Sequence, residues 1–148
     1  MRVKKFESKV LTIYMPEQSE LISRPIVSEN IPAGFPSPAE DFQEVRISLD
    51  KELVKNEAAT FYARARGNSM VDAHIEDGDL LVIDRSIEAR NDKIAICMID
   101  GEFTVKRLKV ESDCIYLLAE NKNYKPIKVT EENELIVWGI VTYVIKKV

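Results

Sequence analysis

A mostly β fold is the expectation for this chain: a small open or barrel-like arrangement of short strands with a mobile N-terminal arm. Three observations predict it. From about residue 45 onward, apolar residues come in short runs or alternate with polar ones, bounded by Gly, Asn and Asp turn signals. Helical spacing is scarce. Five of the six prolines (Pro16, Pro25, Pro32, Pro36 and Pro38) fall in the first 44 residues. Each removes a backbone donor and restricts its predecessor, so that stretch makes neither a long helix nor a central strand.

Taken in order, residues 9–15 fit one short strand inside the arm. Residues 31–38, Ile-Pro-Ala-Gly-Phe-Pro-Ser-Pro, read as extended or turned and exposed. Residues 50–55 fit a short helix with Asp50 as N-cap. Residues 61–66 alternate like a half-buried strand, and Gly67-Asn-Ser-Met breaks it. A short apolar turn through Val71 and Ile75 follows, then the Asp77-Gly-Asp turn. Leu80–Asp84 and Ile94–Ile99 read as buried strands. Asp100-Gly101 joins the second of these to Glu102–Val110 in a hairpin with a type I′ turn. Residues 115–119 and Leu135–Ile145 supply the last strands.

The strand Glu102–Val110 carries an anomaly. Its apolar positions are odd at Phe103 and Val105 but even at Leu108 and Val110. A slip of period-2 phase near Lys106 and Arg107 predicts a β-bulge there. In phase with Leu108, Lys106 points to the apolar side, loses hydration and has a lowered pKa. The same pattern also fits a solvent-exposed lysine on an edge strand.

Composition narrows the function. With 148 residues the chain has the length of one ordinary domain, and 45% hydrophobic with 31% charged residues is usual for a soluble one. The net charge of −4 does not suit a protein that coats nucleic acid, and residues 1–33 carry only +1, leaving −5 for the rest. No direct nucleic-acid binding is expected. No apolar run approaches the roughly 20 residues that span a bilayer, and the basic start has no apolar stretch behind it. A cytoplasmic protein without membrane contact is expected. Cys97 and Cys114 form no disulfide framework and no four-ligand zinc site, so neither cofactor nor metal is expected. Cys97 reads as a buried small residue, and Cys114 has no partner implied by spacing. Lys122 and Lys125 around Tyr124 read as a solvated loop. Trp138 and Tyr143 read as core or dimer surface.

A serine acting as a nucleophile at neutral pH needs a base. His74 is the sole histidine, five residues after Ser69, with no residue in view to orient it, and reads as a surface turn residue. A desolvated, neutral lysine is the alternative base. Ser69 with Lys106 is therefore a chemically sensible pair, although a serine in a Gly-Asn turn is usually structural.

The two segments Gly67-Asn-Ser-Met-Val-Asp-Ala-His-Ile-Glu-Asp-Gly-Asp-Leu-Leu and Gly101-Glu-Phe-Thr-Val-Lys-Arg-Leu resemble the UmuD and LexA group of self-cleaving serine proteases. Ala33-Gly-Phe-Pro-Ser-Pro-Ala-Glu-Asp-Phe is similar to the group's cleavage region, and the likeness spans roughly residues 26–147. It implies Ser69 as nucleophile, Lys106 as general base and a cut between Ala33 and Gly34. Backbone N–H groups of Ser69 and Met70 would form the oxyanion hole. The chain would then divide into a removable arm, residues 1–33, and a Ser/Lys protease-like β domain, residues 34–148. Members of the group cleave themselves on contact with the RecA filament on single-stranded DNA. In the UmuD-like members, which this chain resembles most, the shortened product is a homodimer that joins a UmuC-like Y-family DNA polymerase able to copy past lesions in the SOS response. The arm has no room for a helix-turn-helix domain, and its prolines forbid one. The alternatives are a LexA-type repressor or interaction module without a DNA-binding domain, and a signal-peptidase-like Ser/Lys protease.

Overall fold

The structure, a computed structural model, describes residues 3–7, 11–16, 21, 23–26 and 45–148. The chain contributes, in order, β1 (Val3–Glu7), β2 (Leu11–Met15), β3 (Ser23–Ile26), β4 (Val45–Ser48), α1 (Leu49–Leu53), β5 (Thr60–Ala65), β6 (Leu80–Asp84), β7 (Ile94–Ile99), β8 (Glu102–Val110), β9 (Ile115–Leu118), β10 (Ile127–Val129) and β11 (Leu135–Ile145). Short 3-10 turns cover Glu57–Ala59 and Val71–Ala73. The mostly β class read from the sequence is borne out.

The chain divides into two compact units, one of Met1–Glu17 with Asn56–Val148 and one of Gln18–Lys55. The smaller unit holds the antiparallel pair β3–β4, in register from Ser23 opposite Ser48 to Ile26 opposite Val45. Its helix α1 begins at Leu49 after Ser48, so the N-cap position is Ser48 and Asp50 lies in the first turn. There its carboxylate faces the positive end of the backbone dipoles.

The larger unit is one antiparallel sheet in the order β1-β2-β5-β6-β11-β7-β8-β9-β10. β1 and β10 stand at its ends, so the sheet is open. β11 runs between β6 and β7. Its first half pairs with β7 and its second half with β6, with register shifts between Val137 and Gly139 and between Val141 and Tyr143. Such shifts bend a strand and sharpen its twist. Gly139 is required at the first: a Cβ there would stand 2.6 Å from Cγ2 of the fully buried Ile83.

The stretch read as an arm holds more order at its start than expected. The strand expected over residues 9–15 is present as β2, and it pairs with β5 from Leu11 opposite Ala65 to Tyr14 opposite Tyr62. Leu11 and Ile13 are 0% and 1% exposed, inside the main core. No proline precedes Pro16, so nothing interrupts the ladder here. Ala33 and Gly34, and the rest of residues 27–44, lie outside the described residues.

The hairpin β7–β8 buries both of its faces. Ile96, Phe103 and Val105 belong to one core cluster, with Leu11, Phe61 and Leu81. Ala95, Cys97 and Leu108 belong to a second, with Leu117 and Ile140. Residues opposite each other in the ladder share a face, and Ala95 lies opposite Lys106 and Cys97 opposite Thr104. This corrects the expected bulge. The register runs unbroken from Ile99 opposite Glu102 to Ile94 opposite Arg107. The slip in the apolar pattern arises because the strand passes between two cores, showing odd residues to one and even residues to the other. The turn itself is as expected, with positive φ at both Asp100 (48°) and Gly101 (82°), as a type I′ turn requires.

Candidate functional site

Ser69 stands at the far end of a loop folded by its neighbour in the chain. After β5, Gly67 adopts φ 88°, a left-handed value that a side chain disfavours, and its N–H donates to Asp77 Oδ1 at 2.8 Å. The Asp77-Gly-Asp turn closes back on β5 through Gly78 N–H to Ala65 O and Ala65 N–H to Asp79 O, both 2.9 Å. Beyond Ser69, the chain is anchored by Met70 and Ile75, each buried in the main core. Met70 O accepts from the N–H groups of Ala73 (3.1 Å) and Ile75 (3.2 Å), tightening the turn. His74 ends that turn at φ 59° and is exposed, as a surface turn residue should be. Lys146 pairs with both Asp79 and Glu76, pinning the same turn to the end of β11.

Lys106 comes from the middle of β8, held on one side by β7 and on the other by β9. It shares a face with Leu108, as its phase in the sequence predicted, and is 7% exposed. The solvent-exposed alternative is therefore overturned. Lys106 Nζ lies 3.1 Å from Ser69 Oγ, 2.8 Å from Thr104 Oγ1 and 3.0 Å from Val105 O. Burial holds its pKa below the ordinary lysine value. Cys97, fully buried as expected, has its own pKa pushed up to about 12 by burial, with Lys106 pulling the other way. At that value it stays a protonated, inert thiol.

Three partners around one nitrogen match the neutral amine. Val105 O only accepts, so it takes one N–H, and Thr104 Oγ1 takes the other. The lone pair is then left for the hydroxyl proton of Ser69. The charged ammonium also finds three acceptors here, so the same pocket holds lysine before and after it takes a proton.

Thr104 was not singled out in the sequence, although its position two residues before Lys106 places it on the same face of β8. Two further contacts come from the segment between β9 and β10, read as a solvated loop. Asn121 Nδ2 donates to Asn68 O at 2.8 Å, and Tyr124 Oη donates to Asn68 Oδ1 at 2.7 Å. Nothing in the spacing of Asn121 and Tyr124 foretells this, because the contact spans more than 50 positions of chain and exists only through the tertiary fold. Trp138 is half-buried and packs against the main core, edge-on to Phe61 at 5.0 Å and Phe103 at 6.0 Å. Tyr143 is exposed. Among the described residues, Glu111, Asp113 and Cys114 bring ligand atoms within 4.8 Å of one another on the turn after β8, where both acidic groups are exposed. Acidic groups gather this way without an ion. No helix of the described residues is long and apolar enough to cross a membrane.

The sequence pattern of the Peptidase S24-like family matches residues 25–142. Protein MucA of Salmonella typhimurium is 39% identical over 127 residues, which cover 84% of this chain and 86% of that protein. Protein SamA of the same species is 40% identical over 139 residues, covering 93% and 96%. The LexA repressor of Citrifermentans bemidjiense is 37% identical over 134 residues, covering 90% of this chain and 66% of the repressor. The resemblance read from residues 67–81 and 101–108 is thereby borne out.

Proposed function

Because this chain belongs to the Peptidase S24-like family, we propose that it is a serine endopeptidase that acts mainly on itself, as a regulatory protein of the SOS response to DNA damage. The observation that carries the reading is the 3.1 Å approach of a buried lysine to Ser69 Oγ. A lysine is retained at such a position against the cost of its desolvation when its neutral form has work to do.

Lys106, neutral, takes the hydroxyl proton of Ser69 as Oγ attacks the carbonyl carbon of Ala33. The carbonyl oxygen becomes an oxyanion, which the N–H groups of Ser69 and Met70 receive. The bond from Ala33 to Gly34 N then breaks as the Lys106 ammonium returns the proton to the departing amine. Water hydrolyses the Ser69 ester and frees the acid at Ala33. The RecA filament on single-stranded DNA favours the arrangement in which the Ala33–Gly34 bond lies at Ser69. The larger piece of the product, residues 34–148, is the part that forms a homodimer and joins a UmuC-like Y-family DNA polymerase in the cytoplasm. Support comes from relatives of similar length, MucA and SamA, that match 84% and 93% of the chain.

The test is incubation of the purified chain at alkaline pH, and at neutral pH with RecA, single-stranded DNA and nucleotide, followed by mass spectrometry. One new N-terminus at Gly34 is expected, absent in Ser69→Ala and Lys106→Ala proteins that keep their β circular dichroism. Normal cutting in either variant would remove the dyad. A filament without effect at neutral pH would remove the damage-response role and leave the dyad standing.

A further inference from the structure

We propose that the segment joining β9 to β10 positions the nucleophile, with Asn121 and Tyr124 as positioning residues. The inference rests on the reading of Ser69 as nucleophile and oxyanion donor. Its basis is the placement of the contacts. Asn121 Nδ2 holds the main-chain oxygen of Asn68, Tyr124 Oη holds the side-chain oxygen of the same residue, and Glu120 O accepts the N–H of Asp72 at 2.7 Å. The five residues that carry Ser69 are thus gripped from outside at both ends.

The grip on Asn68 O has a direct consequence for chemistry. The peptide unit is planar and trans, so the C=O of Asn68 and the N–H of Ser69 point in opposite directions from one plate. Fixing the oxygen on Asn121 therefore fixes the direction of the Ser69 N–H. That group donates no hydrogen bond among the described residues. A rotation of this plate would swing the donor away and put a carbonyl in its place. The stretch itself does little to resist such a rotation. Gly67 and Asn68 are exposed, and Gly67 stands in a left-handed conformation beside them.

The segment is built to hold its own shape. Asn121 Oδ1 accepts from Asn123 N–H at 2.9 Å, and Asn121 O accepts from Tyr124 N–H at 3.0 Å. Glu120 is tied by an ion pair to Arg107, which follows the candidate base on β8 and also donates to Asp92 O at 2.7 Å. The strand that presents Lys106 and the loop that orients Ser69 are joined through this pair.

The test is the cleavage-rate profile against pH for Asn121→Asp and Tyr124→Phe. Aspartate keeps the acceptor used by Asn123 N–H but cannot donate to Asn68 O, so it removes the one bond in question. The plateau rate at high pH should fall about 10- to 100-fold for Asn121→Asp, in line with the loss of an aligned oxyanion donor. For Tyr124→Phe it should fall about 3- to 10-fold, the worth of one hydrogen bond. The pH midpoint, which belongs to Lys106, should not move in Tyr124→Phe. Pairing Tyr124→Phe with Asn68→Ala should be no slower than the slower single variant, because both remove the same bond. A merely structural segment would leave the plateau rate unchanged at temperatures well below melting. Wild-type plateau rates in both variants would overturn the proposal. Should Asn121→Asp fail to fold, Tyr124→Phe with its cycle decides. Ser69→Ala runs alongside: cutting that survives in it removes the underlying reading, whereas loss there with wild-type Tyr124→Phe rates removes only the positioning role.

Discussion

Lys106 Nζ stands 3.1 Å from Ser69 Oγ, although 37 positions of chain separate the two residues. They arrive by different routes. Lys106 is fixed by the ladder of a strand held on both sides, and Ser69 by a loop that leans on the Asp77-Gly-Asp turn and on Asn121 and Tyr124. The lysine rests on the hydrogen-bonded ladder of the sheet, whereas the serine is placed by a few hydrogen bonds of a loop.

A cut between Ala33 and Gly34 should leave the two pieces together. The N-terminal piece contains β2 and β3, whose partners β5 and β4 lie on the other piece. Burying Leu11 and Ile13 is worth about 1.5–3 kcal/mol each, before the hydrogen bonds of the ladder. Native mass spectrometry after cleavage should therefore find both pieces in one particle, and Ile13→Asp should release the smaller. Immediate loss of residues 1–33 from the wild-type product would contradict the β2–β5 pairing as a hold on the arm.

Gly139→Ala should destabilise the chain by about 1–3 kcal/mol, as overpacking at a filled site does. The added methyl meets Ile83 Cγ2, itself fully buried, and Arg85 Cγ at 3.2 Å. Urea denaturation should show a lower midpoint with an unchanged slope. An unchanged midpoint would mean that β11 is free to shift at its register break.

The burial of Lys106 predicts the pH dependence of stability. Its folded pKa is lowered, so between that value and the ordinary 10.5 the unfolded chain binds more protons and stability rises with pH. Below the folded pKa this penalty is fully present. Lys106→Met removes it, so the stability of the variant relative to wild type should be greatest near neutrality and decline as pH climbs towards 10.5. Denaturant midpoints at a series of pH values measure the difference. A constant difference would mean that the lysine titrates as if in water.

Much of this was legible in the sequence. Leu80–Asp84, Ile94–Ile99, Glu102–Val110 and Leu135–Ile145 have the strand bounds that apolar runs and turn residues announce. The dipeptide Asp100-Gly101 announces its turn because a type I′ turn needs φ > 0 twice. The Ser69–Lys106 pair was legible as motif and as phase. What the sequence concealed was tertiary. β10, with only three residues, is a strand because β9 offers it an edge. The apparent bulge at Lys106 is a strand serving two cores, which no one-dimensional pattern distinguishes from a slip. Asn121 and Tyr124 look like any polar loop until the fold brings Asn68 beside them.

The most direct test of the central claim is the rate of self-cleavage from about pH 7 to about pH 10.5 without activator, in wild type and in Ser69→Ala. The wild-type rate should be slow at neutrality and climb with pH, as one deprotonation frees the Lys106 lone pair. It should level off at a midpoint below the ordinary lysine value of 10.5. Ser69→Ala should show no cutting at any pH. A wild-type rate that is flat across the range, or cutting that survives in Ser69→Ala, would contradict a serine activated by a buried lysine.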